Sequence, residues 1–477
     1  MSHSDDSLIQ HLSSLALGQP SRNVLDLPEP VLSSIFDIVV AVDEVVLPHR
    51  GWLSISMVCR RFRHIMLDKR SVFAQHYTQF PGAQAVFRER AGDLTLLYRL
   101  TTSFPALSSR TLVNDTLDIA RTEMIRKAAD FSRCSHIWVV NRGDVAAHLR
   151  HLLLLSETAS LSQLEELRLS APDGANLMRE INEPSYSGRL RAPLLLRVFF
   201  KCCWCPIKAL RLQSISVKWS PSSATRRPHP SVLATQLVGP HAQTLVELEL
   251  CDAMLSPPRT ADFSRILAGP DWTRLAMPNL RRLVLKGCVY SYIKMLGSIQ
   301  YPSDVSVSLA LDCRRLPGSV SIANALDAVL RRIPTARNVV NAVKISIEDV
   351  EDDTLDVTFS GYTLSDADLT LDFWHRSNRT EPVIKISLSG FDPEAADWED
   401  YLAPFTARLG AGPPTAFSFH APLDFFDEGE VYWLTVFRAL PGVTAVHPLE
   451  RIKVAVTDEG FATRRLMERL GSCRSID

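Results

Sequence analysis

Two hydrophobic rhythms divide this chain. Near its start, Val31, Leu32, Ile35, Phe36 and Val39 fall at positions i, i+1, i+4, i+5 and i+8, one continuous stripe on a 3.6-residue period that predicts an amphipathic helix. Pro28 and Pro30 stand at or near its first turn, where a missing amide N–H costs little and the fixed φ already suits a helix. After residue 130 the rhythm changes to a short unit, apolar-x-x-apolar-x-apolar. The clearest copies are Leu164/Leu167/Leu169, Leu245/Leu248/Leu250 and Leu280/Leu283/Leu285. Weaker ones are Cys134/Ile137/Val139, Ile207/Leu210/Leu212, Val340/Val343/Ile345, Val383/Ile386/Leu388 and Leu449/Ile452/Val454.

The unit predicts one short strand whose alternate side chains point inward, with the residue ahead of the strand tucked beneath it. Each buried Leu contributes about 1.5–3 kcal/mol, but a single strand closes no core, so the copies must stack. Segments that read as helices or irregular turns lie between them, at residues 145–156, 322–332 and 431–439. Strand and returning helix, repeated irregularly at roughly 30 to 45 residues, predict a parallel-strand solenoid with its strand face as the binding surface. A compact α/β domain is the alternative.

Composition narrows the class of protein. A chain of 477 residues exceeds one ordinary core, which favours a small module beside a large one, or an elongated repeat. Hydrophobic residues at 46% and charged residues at 22% describe a globular protein. A formal net charge of −1 supplies no global field towards nucleic acid or an anionic membrane. The opening residues lack a basic segment followed by an apolar one, and no stretch reaches the roughly 18 apolar residues of a membrane span. A cytoplasmic or nuclear location is expected.

Candidate chemistry is sparse. Nine cysteines, an odd and dispersed number, read as reduced thiols rather than a disulfide scaffold. Cys202-Cys203-Trp204-Cys205 invites a zinc site, yet the next cysteine, Cys251, has no CxxC or HxxxH companion, so buried thiols are the simpler reading. No metal or cofactor is expected. His148 and His151 share an expected helix face and read as a solvated pair. The phosphate loop, the dinucleotide glycine motif, His-Glu-x-x-His and the Gly-x-Ser-x-Gly elbow do not occur, and no spacing pairs a nucleophile with a base. No catalytic residue is assigned.

The front helix opens with Leu27-Pro28-Glu29-Pro30-Val31-Leu32, and Ser56-Met57-Val58-Cys59-Arg60-Arg61-Phe62 follows some distance after it. The Leu-Pro opening and the Val-Cys-Arg-Arg-aromatic core together resemble an F-box. The connection over residues 41–51 is longer than in compact F-boxes, and Phe62 stands where Trp is common. More narrowly, the chain resembles the expanded F-box family of mushroom-forming (basidiomycete) fungi. That likeness rests on Glu89-Arg90-Ala91-Gly92-Asp93-Leu94-Thr95-Leu96, on Met277-Pro278-Asn279-Leu280-Arg281-Arg282-Leu283-Val284-Leu285 and on Phe437-Arg438-Ala439-Leu440-Pro441-Gly442-Val443.

The resemblance implies a non-enzymatic substrate receptor. Its helical module would dock the Skp adaptor of a cullin–RING ubiquitin ligase, an apolar helix-in-groove contact, through Leu27, Pro28, Val31, Leu32, Ile35, Phe36, Val58, Cys59 and Phe62. Cullin would join through the adaptor, and the repeats would bind a protein substrate. The expected fold is α/β, a small all-helical F-box module followed by an irregular leucine-rich-repeat solenoid. The expected boundaries are a tail at 1–24, the F-box at 25–75, a connecting segment at 76–132 with a strand near 94–97, and the solenoid at 133–477. A repeat scaffold without ubiquitin transfer and an enzyme with an unrecognised site in the repeats remain open alternatives.

Three further stretches have surface readings. Residues 220–230 are Pro- and Ser-rich and predict an exposed insertion, either plain loop or a modified or partner-binding one. The acidic run Glu348-Asp349-Val350-Glu351-Asp352-Asp353 predicts a solvated turn, or a contact for a basic segment. Trp374, Trp398, Tyr401, Phe425, Phe426, Tyr432 and Trp433 crowd the last quarter as core, cap or interface anchors.

Overall fold

A computed structural model describes residues 24–42, 51–78, 80–101, 130–140, 149, 152–153, 161–171, 189–220, 227–254, 274–312, 322–333, 342–350, 354–362, 382, 384–391, 416–420 and 445–447. The chain forms two compact units, Met1–Asp130 and Phe131–Asp477.

The first unit runs through α1 (Glu29–Val42), α2 (Ile55–Val58), α3 (Arg60–Asp68), α4 (Arg70–His76), α5 (Gln84–Ala91) and the strand β1 (Leu96–Thr101). The amides of Val31 and Leu32 donate to the Pro28 carbonyl at 3.0 and 3.1 Å, so the Leu-Pro pair starts α1 as its sequence predicts. The apolar stripe then divides. Leu32, Phe36 and Val40 are buried, while Val31, Ile35 and Val39 are half-buried along its flank. Phe36 meets the Phe62 ring edge-on with centroids 5.0 Å apart, and this pair joins α1 to α3.

Cys59 sets the break between α2 and α3. Its backbone is extended (φ −155°, ψ 170°), and its thiol accepts from the Phe62 amide at 3.4 Å to cap α3, satisfying one of the helix's orphan donors. Helical packing continues beyond residue 75. The rings of Phe73 on α4 and Phe87 on α5 lie 5.2 Å apart, so the expected connecting segment contributes a helix to the same core. Thr78 Oγ1 donates to the Arg99 carbonyl at 2.7 Å, tying the end of α4 to β1.

The second unit contains β2 (Cys134–Val140), β3 (Glu166–Ser170), β4 (Leu190–Arg191), β5 (Arg197–Lys201), β6 (Ile207–Lys208), β7 (Ser214–Lys218), α6 (Pro230–Leu233), β8 (Glu247–Cys251), β9 (Leu275–Ala276) and β10 (Arg282–Gly287). It continues with α7 (Val289–Ser298), β11 (Ile299–Gln300), β12 (Ser306–Asp312), α8 (Ile322–Leu330), β13 (Ala342–Val350), β14 (Thr354–Tyr362), β15 (Ile384–Phe391), β16 (Ala416–His420) and β17 (Ala445–His447). Its main sheet is ordered β2-β3-β5-β7-β8-β10-β12-β15-β14-β13-β16-β17. Every pairing from β2 to β15 is parallel. Two-residue parallel bridges β4–β6 and β9–β11 form separate small sheets.

Register explains why the repeated unit works. Ile137, Leu167, Val198, Ile215, Leu248, Leu283 and Val307 pair in one row and Val139, Leu169, Phe200, Val217, Leu250, Leu285 and Leu309 in a second. All are buried. The residues ahead of the strands, Leu164, Leu195, Leu212, Leu245 and Leu280, are buried beneath them. Two copies therefore exist beyond those read from the sequence, Leu195/Val198/Phe200 and Leu212/Ile215/Val217. The expected copy Ile207/Leu210/Leu212 is corrected. Ile207 belongs to β6, Leu210 is 73% exposed, and Leu212 opens the next unit rather than closing this one.

The parallel expectation also fails in one place. β14 runs antiparallel to both β13 and β15, because only residues 351–353 separate β13 from β14 and a parallel return needs a crossover of a dozen or more. The acidic run thus begins inside β13 and ends in that connection. The expected helix at 322–332 corresponds to α8, and Leu149, Leu152 and Leu153 of the segment at 145–156 are buried. Among the described residues no helix is long and apolar enough to cross a membrane. Residues 1–23, 43–50, 221–226 and 431–439, His148, His151, Val340, Val383, Glu351 to Asp353, the Leu449/Ile452/Val454 copy, the 437–443 motif and the seven aromatics from Trp374 to Trp433 lie outside the described residues.

Candidate functional site

In the first unit, the two motif segments meet through Arg61. Its guanidinium donates to the Leu25 carbonyl and, at 2.7 Å, to the Leu27 carbonyl, holding the turn at Val24–Asp26 against the start of α3. The end of α2 stands beside that start. Met57 is 56% exposed and Val58 65%, and Val24 and Leu25 are exposed as well. Apolar side chains left in water at a helix end, next to a held apolar turn, form a surface suited to another apolar surface.

The nine residues expected to meet an adaptor divide three ways. Val58 and Pro28 are exposed, and Leu27, Val31, Ile35 and Cys59 are half-buried. Leu32, Phe36 and Phe62 are buried in the unit's own core, Leu32 completely. Of these three, Phe36 and Phe62 pack against each other across the α1–α3 seam. Sequence reasoning missed Val24, Leu25, Ile38 and Met57, all exposed apolar side chains. Val24-Leu25, separated from the Leu-Pro pair only by Asp26, and Met57 beside Val58 were the available signals. The role of Arg61 had none, since its partners are backbone carbonyls.

In the second unit, the side chains opposite the buried rows form an open face. Its middle row is Trp138, Arg168, Phe199, Ser216, Glu249 and Val284. Arg168 lies over the Trp138 ring at 4.6 Å and pairs with Glu166, whose carboxylate Arg197 also reaches at 3.1 Å. Glu249 accepts from Lys218 at 2.8 Å and Ser216 at 2.6 Å. Burial alone would push its carboxyl up, but the Lys218 and Ser216 hydrogen bonds and the Lys218 and Arg282 charges together hold it below the ordinary range. Polar face contacts of this kind order the side chains that make them.

Buried polar groups elsewhere serve the backbone. Tyr292 donates to the Leu250 carbonyl at 2.9 Å and also bonds the Lys286 carbonyl. Burial, then the Asp252 charge, push its hydroxyl far up, so it stays neutral. His241 Nε2 bonds the Ile207 carbonyl at 3.1 Å, and desolvation lowers its pKa despite that bond. Cys202, Cys203 and Cys205 are buried. Cys203 donates to the Leu169 carbonyl at 3.4 Å, and burial drives its thiol up to about 12 and that of Cys205 further. Protonated thiols are poor metal ligands, and among the described residues no group of three or more His, Cys, Asp or Glu is placed to hold a metal. Comparison with protein-family models, with curated proteins and with solved structures finds no match.

Proposed function

We propose that this protein is the substrate-recognition subunit of a cullin–RING ubiquitin ligase. Its F-box-like helices dock the Skp adaptor, and the stacked strands, read as an irregular leucine-rich-repeat solenoid, hold a protein substrate in the cytoplasm or nucleus. The observation that carries this reading is the apolar surface where the two motif segments meet, Met57 and Val58 beside the turn that Arg61 holds. Exposed apolar side chains on a helix end suit a partner's apolar groove. The chain supplies no chemistry in this role. Holding a substrate near a charged ubiquitin carrier raises its effective concentration and makes transfer quasi-intramolecular.

Self-modification tests the proposal without a known substrate. The full chain, incubated with adaptor, cullin, RING subunit, ubiquitin and carrier enzymes, is expected to acquire ubiquitin ladders, and a Met57→Asp/Val58→Asp chain is expected to acquire none. Adaptor bound without ladders would favour the scaffold reading. Turnover of a small molecule by the full chain would favour an enzyme.

A further inference from the structure

We infer that the open face of the second unit's sheet binds its protein partner through an extended segment rich in Asp and Glu, laid across the ends of β5, β7, β8 and β10. Pairing places Lys201, Lys218, Cys251 and Lys286 in one row. Neighbouring strands stand about 4.8 Å apart, so the first two lysines lie side by side and the third two strands further on. From Ser170 to Ala310 the row carries no Asp or Glu. Lys201 and Lys286 are exposed, and among the described residues no carboxylate pairs with either.

Charge on this face is polarised along the strands. Across β3 to β10 its carboxylates, Glu166, Glu247 and Glu249, sit in the first two rows, where Arg168 and Arg197 neutralise Glu166 and Lys218, reaching back from the third row, neutralises Glu249; Asp312 of β12 lies beyond the third row. The third row keeps Lys201 and Lys286 outside these pairs. Alternate side chains of an extended peptide repeat at about 6.6–7 Å, so two carboxylates four residues apart span the roughly 14 Å, three strand spacings, from Lys201 to Lys286. The half-exposed Phe199 ring, 5.6 Å from the Lys218 ammonium, offers an apolar shelf beside the row.

A nucleic-acid strand fits less well, because single-strand binding stacks successive bases on aromatic rings, and among the described residues the row has only the Phe199 ring beside it. A phosphorylated segment also fits less well. Phosphate recognition favours the guanidinium fork, whereas this row presents lysine point charges. The inference rests on the proposed role only in assigning the segment to a substrate.

The test is fluorescence anisotropy of the full chain with a short labelled peptide alternating Glu with Ser or Phe. The comparison probes are its Gln counterpart, a phosphoserine counterpart and oligouridylate. The Glu peptide is expected to bind, to weaken with added salt, and to bind at least about tenfold more tightly than the Gln peptide. Lys201→Glu/Lys286→Glu is expected to lose at least about tenfold and Lys201→Gln/Lys286→Gln a smaller factor. The second variant decides if the first does not fold. Undiminished binding by a folded Gln variant, no binding of the Glu peptide, or tighter binding of phosphoserine peptide or oligouridylate would overturn the inference. Adaptor binding, read on the same samples, separates the two ideas. Adaptor bound without peptide rejects only the acidic segment, and peptide bound without adaptor rejects only the receptor role.

Discussion

Val58 and Phe62 stand in the same motif on either side of the Cys59 break and have opposite surroundings. Val58 is 65% exposed, whereas Phe62 packs edge-on against Phe36. Replacing Val58 with Asp is expected to change urea-unfolding stability by no more than about 0.5 kcal/mol. Phe62→Ala removes the ring that joins α1 to α3 and is expected to cost about 3–5 kcal/mol in the same measurement. A separate residue-scale prediction concerns Gly287, whose φ is +129° and whose added Cβ would stand 2.7 Å from Asp252 Oδ1. Gly287→Ala is expected to destabilise by more than about 1 kcal/mol, read from the denaturation midpoint. The motif was legible as residue types, but its division into exposed contact, cap, tie and core was not, because that division depends on which neighbour each side chain meets.

Among elements, the strand unit could be read wherever Leu filled all its inward positions, as in Leu245/Leu248/Leu250. Its copies at β5 and β7 use Val, Phe and Ile, residues equally at home on a pleated buried surface but less conspicuous as a repeat. The reversal of β14 was not visible in apolar spacing at all, since an alternating strand reads the same in either direction. Stability should follow the observed register. Leu248→Ala, in a filled row, is expected to cost about 2–5 kcal/mol, while Leu210→Ala, once expected as an inward position, should stay within about 0.5 kcal/mol. Urea unfolding of both variants distinguishes the observed register from the expected one.

The whole molecule carries its selectivity in properties that appear only after folding. A net charge of −1 conceals, across β3 to β10, a face with carboxylates in its first rows and lysines in its last, a contrast that the register creates. The buried His241 links global stability to pH. Desolvation holds its folded pKa below the ordinary 6.5, so the unfolded chain binds the proton first. Its contribution is complete above the ordinary value and is lost as pH falls from there towards the folded value. The urea midpoint is expected to drop as pH falls below about 6.5, with a shallower slope in His241→Gln. The central claim, however, concerns the apolar surface at the junction of the two motif segments. Calorimetric titration of purified Skp adaptor into the full chain tests it most directly. The account predicts one-to-one binding with a negative heat-capacity change, weakened at least about thirtyfold by Met57→Asp/Val58→Asp in a chain of unchanged unfolding midpoint. No binding by the folded chain, or equal binding by the variant, would contradict it.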